Sequence, residues 1–128
     1  MNSSGHRVLL VDDNQDSSEP LSLLLQAKGH DTRVTRDGEE AISVADEFRP
    51  TCVLLDLGLP KMDGFEVARR LRKEPYGRDV VLIALTGWTG RDVRKKAAAA
   101  GFDYHLAKPV NWDELEKIIQ SVTRAATP

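Results

Sequence analysis

The sequence predicts an α/β fold: a five-stranded parallel sheet covered on both faces by helices, a three-layer sandwich in one domain. Three observations carry this. The runs Val8 to Val11, Cys52 to Leu55 and Val80 to Leu85 are apolar without a polar face, as strands buried on both sides require. Amphipathic stretches at helical spacing lie between them, so strand and helix alternate. The 128 residues suffice for one such core and not for two.

Taken in order, Arg7 to Val11 is the first strand, ending at Asp12-Asp13-Asn14. Leu21, Leu24, Leu25 and Lys28 keep helical spacing, and Gly29 suits the helix end. Pro20 would remove an N–H and crowd the Asp16 carbonyl in a helix begun at Gln15. The expectation is therefore an irregular first turn, or a regular helix from Ser17 or Ser18. His30 to Thr35 alternates polar and apolar residues and reads as an edge strand. Asp37-Gly38 is a turn, Ala41, Ile42, Ala45 and Phe48 form a helical stripe, and Arg49-Pro50 ends it.

Cys52 to Leu55 delivers Asp56 into a loop holding Gly58 and Pro60, and Asp63-Gly64 serves as turn and cap for a third helix. Phe65, Val67, Ala68, Leu71 and Arg72 follow, broken by Glu74-Pro75-Tyr76-Gly77. The Val80 to Leu85 strand ends at Thr86-Gly87-Trp88, and a basic, Ala-rich helix runs from Arg91 to Ala100, closed by Gly101. Tyr104 to Ala107 is the last strand, ending at Lys108-Pro109. Asn111 caps a final helix with Leu115, Ile118, Ile119 and Val122 inward. Right-handed crossovers between these units predict strand order 2-1-3-4-5, the flavodoxin-like arrangement. Residues 7–124 are expected to form the domain, 1–6 a flexible tail and 125–128 a frayed end.

The net charge of −2 gives no reason to expect nucleic acid or a membrane surface as partner. No apolar run approaches the ~20 residues of a membrane span. The single Cys52 lies in a buried run and reads as a small hydrophobe, so a reducing cytoplasm is the expectation.

The chemistry gathers where the inner strands end. Asp12 and Asp13 follow the first, Asp56 the third, Thr86 the fourth and Lys108 the fifth. In a parallel sheet these ends share one edge, where ligands of open α/β sheets bind. Three carboxylates together need a cation, and Mg²⁺ suits one or two carboxylates, retained waters and a phosphate. A carboxylate can take a phosphoryl group, and positive charge around its oxygens then does most of the catalysis. This assigns Asp56 as phosphoacceptor, Lys108 as a second positive centre and Thr86 as a hydrogen-bond donor. Singly, these residues are an N-cap, a turn residue and a solvated lysine. Their joint position at four strand ends is the signal.

Val11-Asp12-Asp13, Asp56 to Gly64, Ala84-Leu85-Thr86-Gly87 and Lys108-Pro109-Val110 resemble a response-regulator receiver domain of two-component phosphorelays over Arg7 to Thr123. Ala84 to Trp88 and Gly101 to His105 are similar in wording to receivers of hybrid histidine kinases. The resemblance implies phosphorylation of Asp56 by a phosphohistidine on a sensor histidine kinase or a histidine phosphotransfer domain. It implies Mg²⁺ (or Mn²⁺) on Asp13, Asp56 and the Gly58 carbonyl, with Asp12 assisting through water, and a cis Lys108–Pro109 bond. It places His105 at the position whose side chain moves into the space Thr86 vacates. The fourth helix, fifth strand and fifth helix become the surface read by a downstream protein, in a monomer or weak homodimer. An imidazole there would lend the output a pH dependence.

Two positions depart from common choices in the family: Gly58 leaves access beside the acceptor, and Trp88 is expected to shield the aspartyl phosphate. Other function classes fit less well. A haloacid-dehalogenase-type phosphatase wants a second Asp where Gly58 stands. A pseudo-receiver binding partners without phosphorylation would not need Asp12, Asp13, Asp56, Thr86 and Lys108 together. A flavin carrier would meet an acidic loop after the first strand. The expectation is thus a signalling module with no separate substrate, not an enzyme.

Overall fold

The computed structural model describes residues 5–59, 62–87 and 90–122. Its elements are β1 (Arg7–Val11), α1 (Gln15–Ala27), β2 (Asp31–Thr35), α2 (Gly38–Phe48), β3 (Cys52–Asp56), α3 (Gly64–Lys73), β4 (Val81–Thr86), α4 (Arg91–Ala100), β5 (Tyr104–Ala107) and α5 (Trp112–Ser121). A short 3₁₀ turn, Pro75–Gly77, joins α3 to β4. The sheet is parallel in the order β2-β1-β3-β4-β5, as the sequence predicts.

Alternation along the strands splits the core into two layers. Leu9, Val11, Val53 and Leu55 face α2, α3 and α4, against Ala41, Ala45, Val67, Leu71 and Ala97. Val8, Leu10, Cys52, Leu54, Ile83 and Leu85 face α1 and α5, against Leu21, Leu25, Leu115 and Ile119. β3 is buried at every residue, which accounts for its unbroken apolar run.

Local chemistry sets most helix ends. The side chains of Asn14, Asp37, Asp63 and Asn111 cap α1, α2, α3 and α5, each accepting a backbone N–H of the first turn. Asp63 thus acts as the cap the sequence predicts. Gly64 has a further reason: a Cβ there would lie 2.8 Å from the Leu57 Cα and 2.9 Å from the Asp56 carbonyl oxygen. The start of α3 therefore rests directly on the chain leaving β3.

Four expectations need correction. α1 begins at Gln15 and runs through Pro20, because the Asn14 cap and its carbonyl, accepting from Ser17 and Ser18, establish the helix before the proline. The second strand begins at Asp31, and the fourth spans Val81–Thr86, one residue later than its apolar run. Nor is His6 part of a loose tail. It is 7% exposed, its amide donates to His30 Nδ1 at 3.1 Å, and its carbonyl accepts from the Asp31 amide at 2.9 Å. Residues 1–4 of the expected tail and the expected frayed end at 125–128 lie outside the described residues, as do 123–124, Pro60, Lys61 and Trp88.

At the edge where the strands begin, Arg72 of α3 holds several segments together. Its Nη1 donates to the carbonyls of Gly77 at 2.8 Å and Val80 at 2.6 Å. Its Nε and Nη2 reach the Gly101 carbonyl, and Nη2 pairs with Asp103 Oδ2 at 2.8 Å. The same Asp103 oxygen accepts the Leu82 amide at 2.9 Å.

Candidate functional site

The register aligns the strand ends that carry the polar residues. Val11 pairs with Leu55, so Asp12 leaves β1 beside Asp56 at the end of β3. Asp56 pairs with Leu85, so Thr86 follows one residue beyond it on β4. Thr86 in turn pairs with Ala107, and the Thr86 carbonyl accepts the Lys108 amide at 2.8 Å. All five predicted residues meet at one edge.

Asp12 and Asp56 are buried, at 2% and 7% exposure, while Asp13 is exposed. One ligand oxygen from each lies within 4.8 Å of the others. Asp56 is held at both oxygens. The Gly58 amide donates to Oδ1 at 2.8 Å, and Lys108 Nζ reaches Oδ2 at the same distance. Lys108 also lies 3.4 Å from Asp12 Oδ2. Burial works against its charged form, but the hydrogen bond to Asp56 and the charges of Asp12 and Asp56 outweigh it, raising the pKa above the lysine value. A single ammonium leaves three carboxylates under-neutralised. This all-oxygen set, part buried and part open, suits a hard divalent cation.

Gly58 is exposed, and a Cβ there would touch Asp56 Oδ1 at 3.5 Å, an ordinary contact. Any side chain at this position would thus begin in contact with the Asp56 carboxylate. Thr86 is 2% exposed. His105 is half-buried in β5 opposite Ala84, and its Nε2 finds no hydrogen-bond partner among the described residues. Tyr104, on the alternate face, is 41% exposed. The Lys108–Pro109 bond is cis.

Sequence reasoning missed Ser17, whose Oγ donates to Asp12 Oδ2 at 2.8 Å. Its position one turn into α1 after Asp12-Asp13-Asn14 was the available signal. It also missed a cleft of about 530 Å³ between α1 and the β5–α5 loop, lined by Asp12, Ser17, Pro20, Leu24, Lys108 and Pro109 among others. This cleft opens beside the carboxylates.

Comparison with known proteins gives a consistent result. The sequence model of the response regulator receiver domain matches residues 8–120. Response regulator MprA of Mycolicibacterium vanbaalenii is 34% identical over 122 residues, covering 95% of this chain and 52% of that protein. The chain thus spans about half the length of that relative. The receiver domain of sensor histidine kinase PA1611 from Pseudomonas aeruginosa, solved with magnesium in its active-site cleft, superposes with a TM-score of 0.84 at 33% identity. That match covers 92% of this chain and 97% of the other. Vibrio cholerae CheY4, a chemotaxis protein, gives a TM-score of 0.86 at 30% identity, covering 91% and 98%. Among the described residues, no helix is long and apolar enough to cross a membrane.

Proposed function

This chain belongs to the response regulator receiver domain family, and we propose that its Asp56 takes a phosphoryl group from a phosphohistidine donor to switch a signalling surface. Receiver domains are signalling modules of two-component systems, without a separate substrate. The observation that carries the reading is Asp56 itself: a buried carboxylate beside Asp12 and Asp13, with Lys108 Nζ 2.8 Å from Oδ2.

In the transfer, an Asp56 oxygen forms a bond to phosphorus as the bond from phosphorus to the donor imidazole nitrogen breaks. The electron pair of that bond stays on the imidazole. The Gly58 amide, bound to Oδ1, fixes the rotation of the carboxylate before the donor arrives. Lys108 supplies positive charge to the phosphoryl oxygens, and Thr86 a hydroxyl donor. Asp13, Asp56 and the Gly58 carbonyl would hold Mg²⁺ or Mn²⁺, with Asp12 assisting through water, and the cation would add positive charge near the phosphoryl oxygens. The donor is a sensor histidine kinase or a histidine phosphotransfer domain. The cleft beside Lys108, with Pro20 and the 44% exposed Leu24 on its α1 wall, gives it an apolar seat.

Once phosphorylated, the site draws Thr86 toward it and makes room for His105, shifting the balance between two packings of α4, β5 and α5. That face is the one a downstream protein reads, in the cytoplasm. The half-buried His105, whose Nε2 has no hydrogen-bond partner among the described residues, supports this reading.

Intact mass after incubation with a small phosphoryl donor, with and without Mg²⁺, tests the proposal. Gain of one phosphoryl group that depends on Mg²⁺ and is lost in Asp56→Asn is the expected result. A chain that takes no phosphoryl group from either a small donor or a phosphohistidine protein would instead be a partner-binding domain independent of phosphorylation.

A further inference from the structure

Ser17 lies in the first turn of α1, and its hydroxyl has one proton to give. Asp12 Oδ2 is 2.8 Å away and the Asn14 carbonyl 3.2 Å, so the shorter, charge-assisted contact takes it. That oxygen is also the one Lys108 approaches, at 3.4 Å, while Asp12 Oδ1 accepts the Asn14 amide at 2.9 Å. Asp12 is 2% exposed, so its hydrogen bonds to the protein set its orientation. Lys108 thus stands between two carboxylates of like charge, yet sits 0.6 Å closer to Asp56, at 2.8 Å against 3.4 Å. Among the described side-chain contacts, the one that Asp12 Oδ2 makes besides Lys108 is with Ser17.

We propose that Ser17 is a positioning residue: by bonding Asp12 Oδ2 it takes up the acceptor that would draw Lys108 away, and so keeps the ammonium on Asp56. The same bond fixes the Asp12 carboxylate where it can assist a cation. The inference rests on the phosphoacceptor reading of Asp56 and adds a control residue outside the family motifs. Without the Ser17 hydroxyl, Lys108 moves toward Asp12. Asp56 then loses part of its positive partner, and Asp12 becomes both less fixed and more neutralised. Phosphoryl gain and divalent-cation binding should therefore weaken together.

The test compares wild type, Ser17→Ala, Ser17→Thr, Asp12→Ala and the Ser17→Ala/Asp12→Ala double variant. Mg²⁺ binding is read by calorimetry and phosphoryl gain from a small donor by intact mass. Ser17 is exposed and alanine favours a helix, so the fold is retained, which thermal melting checks. Ser17→Ala should weaken Mg²⁺ binding and slow phosphoryl gain, each by about tenfold, the lower end of what one hydrogen bond to a charged group is worth. Ser17→Thr should restore both. With Asp12 already replaced by alanine, removing the hydroxyl should change neither, because the effect runs through Asp12. Unchanged Mg²⁺ affinity in Ser17→Ala, or the same loss with and without Asp12, overturns the proposal. A wild type that takes no phosphoryl group counts against the phosphoacceptor reading alone, and the Mg²⁺ titrations still decide the role of Ser17.

Discussion

Lys108 Nζ lies 2.8 Å from Asp56 Oδ2, joining the ends of two strands that are not neighbours in the sheet. The contact decides how long the ammonium keeps its charge. Burial opposes the charged form, yet the bond to Asp56 and the charges of Asp12 and Asp56 raise the pKa above 10.5. A group whose folded pKa is raised contributes stability that is fully present below its unfolded value and lost as pH rises through the folded one. This contribution is thus constant across neutral pH and disappears only above the ordinary lysine range. Asp56→Asn should bring the Lys108 titration down toward that range, read from the side-chain nitrogen resonance. An unchanged titration would show that Asp56 does not hold the ammonium.

Gly64→Ala should disturb the site from a distance. The added Cβ would meet the Leu57 Cα at 2.8 Å and the Asp56 carbonyl oxygen at 2.9 Å, and backbone cannot step aside as a flexible side chain can. A loss of about 1–3 kcal/mol in denaturant unfolding is expected. If Asp56 is the phosphoacceptor proposed above, phosphoryl gain should fall with it, because the displaced residues include Asp56. Full stability in this variant would refute the close approach.

Arg72→Lys should be a costly exchange despite its conserved charge. The guanidinium spans the carbonyls of Gly77, Val80 and Gly101 together with Asp103, a spread one ammonium cannot cover. Carbonyls left without donors put the expected loss at about 2 kcal/mol for lysine and about 3 kcal/mol for alanine by urea unfolding. The effect of Asp103→Asn should be smaller in an Arg72→Ala background than alone, since the two share one bond.

Cys52 should be inert while the protein is folded. It is fully buried, and burial, followed by the charge of Asp103, pushes its thiol up to about 12. The thiolate is the reactive form. Labelling by a thiol reagent at neutral pH should therefore proceed at the rate of unfolding and accelerate with denaturant. Immediate labelling of native protein would contradict the burial.

The sheet was legible because buried parallel strands leave a signature in the chain: Cys52 to Leu55 has no polar residue because it has no solvent face. The site was legible for a related reason, since a parallel sheet brings Asp12, Asp56, Thr86 and Lys108 together once their strands are identified. The roles of Arg72 and Ser17 were not. Periodicity placed Arg72 on a helix stripe, but its value comes from carbonyls up to 29 residues away. Ser17 matters through one oxygen of Asp12, a relation that exists only once α1 has taken its angle. The polar neighbours of His6 suggest a tail, whereas its partners lie between α1 and β2 and just before β3. Pro20 was judged by its local cost alone, without the cap that anchors the helix ahead of it.

Arg72 tethers the α4–β5 segment at one end. The end of α4 and the start of β5 are clamped to α3 through the Gly101 carbonyl and Asp103, at the far edge from Asp56. The other end of β5 runs into Lys108, beside the carboxylates. β5 is also laced to β4 at each residue from Tyr104 to Ala107, so Arg72 and β4 together would confine any displacement of Lys108 to the end of the strand nearest the carboxylates.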